Sequence, residues 1–281
     1  MRTVWEQMSA SSSMVEGVPG FFAPRIPSAW CSPPGSVSAT SFYDTKEFRK
    51  TLEGFIDFGI LNSGDVRYTT SAVNVRSGNY SVFDTLSHKI GPEHIMASGA
   101  LPPGLPAIEI EGQLYWDGGL ISNTPLQWVM NDALKNTLIF QIDLWSCRGE
   151  FPKDIIGVMT RQKEIQYSSR TRAITDHFRH SQQLRHAFSA LYEQLPDNLK
   201  KTKEVEMLNA ASDFHVYNIV HLIYRTKDYE GYSKDCDFSQ LSMEGHWKSG
   251  YNDTACSLRH KEILKLPTCS KGIMTYDLTE D

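Results

Sequence analysis

The 281-residue chain has a composition typical of globular proteins, with 40% hydrophobic residues, 22% charged residues and a formal net charge of -5. A chain of this length holds one large domain, or one domain with an appendage, and can bury a sizeable core. Nucleic-acid binding usually requires a basic footprint, so the acidic balance argues against a nucleic-acid partner.

No segment resembles a membrane span or a secretion signal. The chain has no run of about 18 apolar residues, the length that a membrane-spanning helix needs. Residues 1–17 lack the apolar region of a signal peptide. The five cysteines lie far apart and form no C-x-x-C pair, which argues against a disulfide framework and a structural zinc site. We therefore expect an intracellular, cytoplasmic protein.

The N-terminal part of the chain predicts a packed irregular loop followed by a helix. Residues 17–40 are too rich in proline and glycine for a regular element, and their aromatic residues indicate packing rather than a solvated linker. A helix is expected to begin near Asp44, because apolar residues then recur at spacings of four and three, at Phe48, Leu52 and Phe55.

The middle of the chain predicts β structure and then a strand, a helix and a strand. The expected elements are a hairpin over 66–75 and 80–85, a helix from Pro92 to Gly99, two short strands over 107–116, a helix after Thr124 and a strand over 137–145. The last strand is continuously apolar, so we expect it to be buried and parallel to its neighbours. This order of elements indicates an α/β fold.

After about residue 150 the sequence becomes mainly helical. Residues 153–200 predict helix, 214–225 predict one strong strand, and 239–264 predict a closing helix. In the closing helix, apolar residues such as Leu241 and Tyr251 are expected to face the core. We expect this part to be an extension that packs on the α/β core.

Asp117 is the only acidic residue between Tyr115 and Trp128, and it follows a predicted strand and precedes Gly118 and Gly119. The backbone holds an aspartate at such a strand end, while two glycines permit positive φ angles and close approach. Functional sites form at strand ends of this kind. The alternative is a turn aspartate that caps a helix or hydrogen-bonds its own loop, and the local pattern alone favours that alternative.

The sequence around Asp117 resembles the patatin-like phospholipase family. An Ala-Ser-x-Ala-x-Pro element spans 97–102, and Asp-Gly-Gly at Asp117 is followed by Asn123 and Pro125. The later segments RQKEIQYSSRTR and IVHLIYRTKDYEG are similar to the C-terminal extension of a bacterial subgroup of that family. The resemblance covers nearly the whole chain.

The resemblance implies a three-layer patatin-like α/β core over residues 1–148, from which the first strands and the nucleophile helix are missing. It also implies a mostly helical, family-specific extension with one added strand over residues 149–281. These two ranges are the domains that we expect.

The implied activity is that of a serine acyl hydrolase of the phospholipase A or esterase type, acting on lipid acyl esters. In the family a Ser–Asp dyad carries the reaction, with the serine in a G-x-S-x-G turn upstream of the aspartate. Asp117 would accept the serine proton, Gly118 and Gly119 would shape its turn, and backbone N–H groups would stabilise the oxyanion. No cofactor is implied.

The sequence departs from the family at the nucleophile, because it contains no G-x-S-x-G. The nearest approach, GYSKD at 231–235, lacks the second glycine and follows Asp117, so Ser233 does not fit the pattern. Ser98 begins no strand–turn–helix elbow. Asp117 is therefore the one catalytic residue identified, and we expect a truncated or inactive form without activity of its own. The alternative is a non-catalytic binding or scaffold protein derived from the family.

A basic segment and a pair of histidines are the remaining candidates for function. Residues 161–186 carry six Lys or Arg, three His and only two acidic residues. This face either contacts anionic lipid headgroups at a membrane, or is solvated or paired with acidic residues of the same chain. His177 and His180 have helical spacing, but no acidic or cysteine partner lies at metal spacing, so we expect no metal site.

Overall fold

A computed structural model of the protein describes residues 2–9, 13–131, 135–146, 148–210, 215–224, 237–266 and 272–278. The helices are α1 (Arg2–Gln7), α2 (Ser13–Glu16), α3 (Lys46–Phe55), α4 (Phe58–Leu61), α5 (Pro92–Ser98), α6 (Leu126–Asn131), α7 (Ile155–Gln194), α8 (Asp197–Lys200), α9 (Lys203–Ala210) and α10 (Gln240–Arg259). The strands are β1 (Ala23–Pro24), β2 (Tyr43–Asp44), β3 (Thr69–Asn74), β4 (Tyr80–Asp84), β5 (Ile108–Ile110), β6 (Gln113–Asp117), β7 (Thr137–Asp143), β8 (Tyr217–Ile223) and β9 (Ile273–Asp277). These helices and sheets confirm the predicted α/β class.

The chain divides into two compact units. Unit 1 comprises residues 1–123 and 233–247, and unit 2 comprises residues 124–232 and 248–281. The C-terminal third of the chain thus contributes a segment to the first unit. The domain boundary expected at residue 148 stays a prediction.

Unit 1 is built on an antiparallel sheet with the strand order β4-β3-β6-β5. The predicted hairpin is present, with Val73 of β3 paired to Tyr80 of β4, and β3 also pairs with β6 through Ala72 and Asp117. Helix α5 contacts β3, β5 and β6. The core between them contains the buried residues Ala72, Phe83, Ile90, Ala97 and Ile110.

The ends of α5 follow from its sequence, as predicted. Pro92 is its first residue, where the missing N–H costs nothing. The N–H of Gly91 donates to Nδ1 of His94 over 2.9 Å, which satisfies a donor at the helix start. Gly99 follows the last residue and ends the helix. Helix α5 is therefore fixed at the position where it packs on the sheet.

The Pro- and Gly-rich loop packs as predicted around its first aromatic residues. Phe22 is buried with Met8 and Val18, and Phe21 packs against this cluster. Trp30, further along the loop, is 86% exposed and takes no part in the core. The packing is therefore confirmed for the beginning of the loop and wrong at Trp30.

Unit 2 contains a parallel sheet with the order β7-β8-β9. The core on one face consists of Leu126, Met130, Ile139, Tyr217, Ile219 and Ile273. On the other face, Nδ2 of Asn218 donates to the carbonyl oxygens of Ile263 and Lys265, which places the 3-10 helix Lys261–Leu264 over β8. The sheet is thus covered on both faces at its central strand.

Strand β7 is parallel to β8, as predicted, but the expectation of burial on both faces is wrong. Ile139 is buried, whereas Leu138, Phe140 and Ile142 of the same strand are exposed. The reason is that β7 lies at the edge of the described sheet, so the 3-10 helix that covers β8 does not cover it. A continuous apolar run shows that both faces of a strand are apolar. It does not show that other elements cover both faces.

The long helices of the C-terminal part bury polar rather than apolar side chains. On α7, Gln182 and His186 are buried, and Nη2 of Arg179 donates to Oγ1 of Thr275 on β9 over 2.7 Å. On α10, Leu241 and Tyr251 are exposed, which contradicts the prediction. The buried positions of α10 include Ser242 and Ser257, and a search for apolar periodicity does not detect small hydroxyl side chains.

None of the helices that the structure describes combines the length and the apolar composition needed to cross a membrane.

Candidate functional site

Asp117 lies at the point where β6 ends and a 3-10 helix over Gly118–Leu120 begins. One carboxylate oxygen, Oδ1, accepts a hydrogen bond from the N–H of Gly119 over 2.7 Å. The N–H of Asp117 itself donates to the carbonyl oxygen of Ala100 over 3.0 Å. The side chain and the backbone of Asp117 are therefore held by separate hydrogen bonds, and its position is well defined.

The surroundings of Asp117 change its acidity. Burial raises the pKa of Asp117 to about 6, and the hydrogen bond from Gly119 only partly offsets this effect. At pH 7 the carboxylate is still mainly ionised. In the described ranges of the chain, the Gly119 N–H is the one hydrogen bond to the Asp117 carboxylate, so the oxygen Oδ2 is available to accept a proton. A buried carboxylate with a pKa near the working pH suits general-base chemistry.

The first glycine of the motif is required because the chains pass very close to each other. A Cβ atom added to Gly118 would lie 2.5 Å from Oγ of Ser71 and 2.7 Å from its carbonyl oxygen. The φ angle of Gly118 is not positive, so of the two properties that glycine permits, positive φ and close approach, only close approach is used at this residue. Position 118 requires glycine because β3 occupies the space that a side chain would need.

The second glycine lies between two polar side chains. A Cβ atom added to Gly119 would lie 3.1 Å from Oδ1 of Asp117 and 3.2 Å from Oδ1 of Asn123. These neighbours are side-chain atoms, which can shift more easily than backbone. Asn123, which follows the Asp-Gly-Gly motif in the sequence, is thus brought beside Gly119 and the carboxylate.

Tyr80 is a neighbour of the site that sequence reasoning missed. Burial raises the pKa of Tyr80, and the negative charge of Asp117 raises it further. The phenol is therefore neutral and close enough to Asp117 to feel its charge. It comes from β4, and only the pairing of β4 with β3 and of β3 with β6 brings it there. No local motif around Tyr80 signals this.

Within the described residues, Ser98, His177 and His180 form no hydrogen bond with the Asp117 carboxylate. Ser98 is the last residue of α5, so it ends a helix and does not lie in a turn after a strand. Ser233 lies outside the described residues. His177 and His180 are exposed on α7. Within the part of the chain that the structure describes, no three His, Cys, Asp or Glu side chains are grouped as metal ligands would be.

Two family models match the chain, one on each side of residue 148. A model described as patatin-like phospholipase matches residues 21–129, which include Asp117 and its two glycines. A second model, the DUF3734 domain described as patatin phospholipase, matches residues 165–269. No curated protein matches the chain. The two matches describe the same kind of protein and together span most of the sequence, so the chain belongs to the patatin-like phospholipase family.

Proposed function

We propose that the chain provides the proton-accepting half of a site that hydrolyses lipid acyl esters, with Asp117 as the proton acceptor. The observation that carries this proposal is the state of the Asp117 carboxylate, held by Gly119 through Oδ1 and with a pKa of about 6. A turn aspartate with a purely local role needs no raised pKa, and burying its charge is costly.

The proposed chemistry uses Asp117 twice. The carboxylate takes the proton from a serine hydroxyl as the serine oxygen attacks the ester carbonyl carbon, and the oxyanion collapses to an acyl-serine. The proton passes from Asp117 to the departing alcohol oxygen. A water molecule then attacks the acyl-serine, giving up its proton to Asp117, and the serine oxygen recovers that proton when the free acid leaves.

Among the residues that the structure describes, no nucleophile is identified at the site. The sequence contains no G-x-S-x-G, and within the described residues no serine donates to Asp117. The proposal is therefore that a separate segment carrying that motif, either upstream in a longer chain or in another polypeptide, completes the dyad. On its own this chain is expected to be inactive.

The first experiment measures hydrolysis of a short-chain p-nitrophenyl ester by the purified chain and by Asp117→Asn. Neither protein should exceed background. Activity that is lost in Asp117→Asn would show that a serine of this chain completes the dyad, and it would overturn the incomplete-site proposal.

The second experiment joins the chain to a segment that encodes a Gly-rich loop and G-x-S-x-G, either as an upstream fusion or by co-expression. The complete site should hydrolyse the ester, and Asp117→Asn should lower the rate by about 10²–10⁴, the usual contribution of acid–base catalysis. Asp65→Asn is the matched control, because Asp65 is an exposed carboxylate outside the site. An equal loss in both variants would contradict a specific role for Asp117.

A non-catalytic binding or scaffold protein derived from the family is the second candidate function. The exposed apolar face of β7 favours it, because Phe140 and Ile142 are presented to solvent and offer an apolar surface to a partner. A complete site that binds ester but does not hydrolyse it would support this second function.

Peripheral membrane contact through residues 161–186 is part of the proposal. Some cations of this segment are engaged within the protein, since Arg161 pairs with Glu164 and Arg179 donates to Thr275. The support comes from the preceding turns of α7, where Ile155 and Ile156 are largely exposed. Apolar side chains next to basic ones on a helix are typical of helices that lie at a membrane surface.

A further inference from the structure

Unit 1 contains a cavity of about 310 Å³, and one of its lining residues, Ala100, is hydrogen-bonded to Asp117. Its walls come from α3, α5, β3, β5 and the irregular loops between them. The lining residues are Phe21, Thr45, Phe48, Tyr68, Thr70, Ile95, Met96, Ser98, Gly99, Ala100, Leu105, Pro106 and Ile108. A cavity of this size is at the lower end of the range for small-molecule sites.

Two lining residues relate the cavity to Asp117. Ala100 lines the cavity, and its carbonyl oxygen accepts the N–H of Asp117. Thr70 also lines it and lies two residues from Ala72, the direct partner of Asp117 across the sheet. Side chains two apart on a strand point to the same face. The cavity and the carboxylate are therefore neighbours on one face of the sheet.

The chemistry of the walls selects an uncharged, mainly apolar ligand. Most of the lining side chains are apolar, and the polar ones are neutral hydroxyls such as Thr45 and Tyr68. Over the described residues, no charged side chain lines the cavity. A hydrocarbon chain gains free energy there in proportion to the surface that it buries.

One wall of the cavity is supported by a residue from the other end of the sequence. The ring of Phe21, a lining residue, lies 4.5 Å from the ring of Phe48 and 5.1 Å from that of Phe238. Phe238 also contacts Phe22 with a ring separation of 5.6 Å. Phe238 lies in the range 165–269 that matches the second family model, whereas Phe21 begins the range that matches the first.

We propose that this cavity holds the acyl chain of the substrate, and that Phe238 sets the chain length that fits by holding Phe21 in place. Phe238 is a positioning residue, since it acts through Phe21. The assignment of the ligand as an acyl chain rests on the proposed function, but the binding of an apolar chain in the cavity does not.

The test measures binding of a homologous series of straight-chain alcohols, from butanol to decanol, by calorimetry on the full chain. These probes are neutral and carry a hydrocarbon tail with one polar end. The dissociation constant should fall about fourfold for each added methylene, the value expected for burial of one CH₂ group, until the cavity is full. From that length on, it should level off. A continued fall up to decanol, or no measurable binding, would overturn the proposal.

Two variants that change the cavity volume in opposite directions distinguish filling of the cavity from a general loss of folded structure. Ser98→Leu reduces the space and should move the levelling-off to shorter alcohols, whereas Ile95→Ala enlarges it and should move the levelling-off to longer ones. Both variants are compared with the parent chain by their unfolding transitions. An unchanged position of the levelling-off in two folded variants would exclude this cavity.

The role of Phe238 is tested with Phe238→Ala, and Phe42→Ala is the control. Loss of an aromatic contact that holds Phe21 should weaken alcohol binding by about two- to tenfold. The levelling-off of the dissociation constant with alcohol length should also become less sharp. Phe42 forms an aromatic pair with the exposed Trp30 and lines no wall of the cavity. Equal effects of the two substitutions would overturn the role of Phe238.

The outcome for the cavity is separate from the outcome for the hydrolase. The completed enzyme could cleave short esters while its preferred acyl-chain length stays the same in Ser98→Leu and Ile95→Ala. That result would support the proposed function and overturn the acyl pocket. Alcohol binding with the expected limit, without hydrolysis by the completed site, would retain the pocket and overturn the hydrolase.

Discussion

The N–H of Asp117 donates to the carbonyl oxygen of Ala100 over 3.0 Å, and this bond joins the two sequence elements on which the resemblance to the family rests. Ala100 belongs to the Ala-Ser-Gly-Ala element that follows α5, and Asp117 begins the Asp-Gly-Gly motif. The first element ends helix α5, which packs on the sheet. The hydrogen bond therefore fixes the position of the last residue of β6 relative to α5. The two motifs are therefore one structural unit around a single carboxylate.

Gly118→Ala should destabilise the protein by about 1–3 kcal/mol, because a Cβ atom would overlap with β3. The overlap is with the carbonyl carbon of Ser71 at 2.9 Å as well as its oxygen atoms, so a rotamer change cannot relieve it. Urea unfolding monitored by tryptophan fluorescence measures the change.

The matched control for that substitution is Gly54→Ala. Gly54 lies in α3, and a Cβ atom added there meets nothing within 4 Å. Alanine should be neutral or stabilise by about 0.5 kcal/mol, since it has the higher helix propensity. If Gly118→Ala proved as harmless as Gly54→Ala, the close approach to Ser71 would not matter for stability.

Local sequence signals predict the elements around the site, but not the distant residues that lie near the carboxylate or support the cavity. The hairpin, α5 and the short strands flanking Gly112 follow from turn residues and helix caps, which act over a few residues. Tyr80 and Phe238 reach their places through strand register and through the return of the chain to unit 1, and neither has a local signature. Their contacts are tertiary, so short-range propensities do not specify them.

On β7 and α10 the predictions of burial are wrong, because several apolar side chains expected in the core are exposed and serines of α10 are buried instead. Apolar periodicity predicted burial at residues such as Ile142 and Leu241, which are exposed. The pattern reports which side chains are apolar, and the neighbouring elements decide which of them are covered. The family resemblance singles out Asp117, because a charged residue before two glycines favours on its own an aspartate with a local role in the turn.

Gln141→Met should stabilise the protein by about 1 kcal/mol, because Gln141 is 6% exposed and its amide nitrogen and oxygen have no hydrogen-bond partner among the described residues. Methionine has a similar volume and needs no partner. The measurement is the free energy of unfolding in urea at pH 7.

Asn218→Leu on the neighbouring strand should have the opposite effect. Nδ2 of Asn218 donates to the carbonyl oxygens of Ile263 and Lys265, each over 2.7 Å. Leucine would leave the buried carbonyl oxygen of Ile263 and the partly buried one of Lys265 without this donor and cost about 1–3 kcal/mol. A loss of stability in Gln141→Met would mean that the amide has a partner, such as a bound water, that matters in solution.

Membrane contact predicts that Ile155→Ser combined with Ile156→Ser weakens binding to vesicles of phosphatidylcholine and phosphatidylserine by about tenfold or more, since two exposed apolar side chains leave the interface. Vesicle co-sedimentation at low and high salt provides the measurement. Binding should also weaken with salt, because basic side chains contribute.

The control for vesicle binding is Val66→Ser combined with Leu86→Ser. Both residues are exposed apolar side chains of unit 1, whereas the basic segment belongs to unit 2. The contact would be refuted if this control lowered binding as much as the α7 variant, or if vesicles bound neither the parent chain nor its variants.

Asp117→Asn should make the protein more stable above pH 6, although it removes the proposed proton acceptor. The folded-state pKa of Asp117 is raised from 3.8 to about 6, so the carboxyl favours the folded state while it is protonated, and this contribution is lost as the pH rises through about 6. Asparagine carries no charge to bury. The stability difference should be near zero at pH 4 and grow to roughly 1–3 kcal/mol at pH 8, measured by urea unfolding across that range.

Asp84→Asn should show the reverse pH dependence, which makes it the stringent comparison for Asp117. Although burial alone would raise it, the pKa of Asp84 is lowered from 3.8 to about 2 by hydrogen bonds from Arg67, Thr69 and the N–H of Leu86. The ionised carboxylate therefore stabilises the fold above pH 4, and this stability is lost as the pH falls through about 2. The variant should be about 2 kcal/mol less stable than the parent at pH 7, and the difference should shrink in acid. Unfolding curves with the same slope against pH for both variants would mean that the two carboxylates do not differ in the way their surroundings indicate.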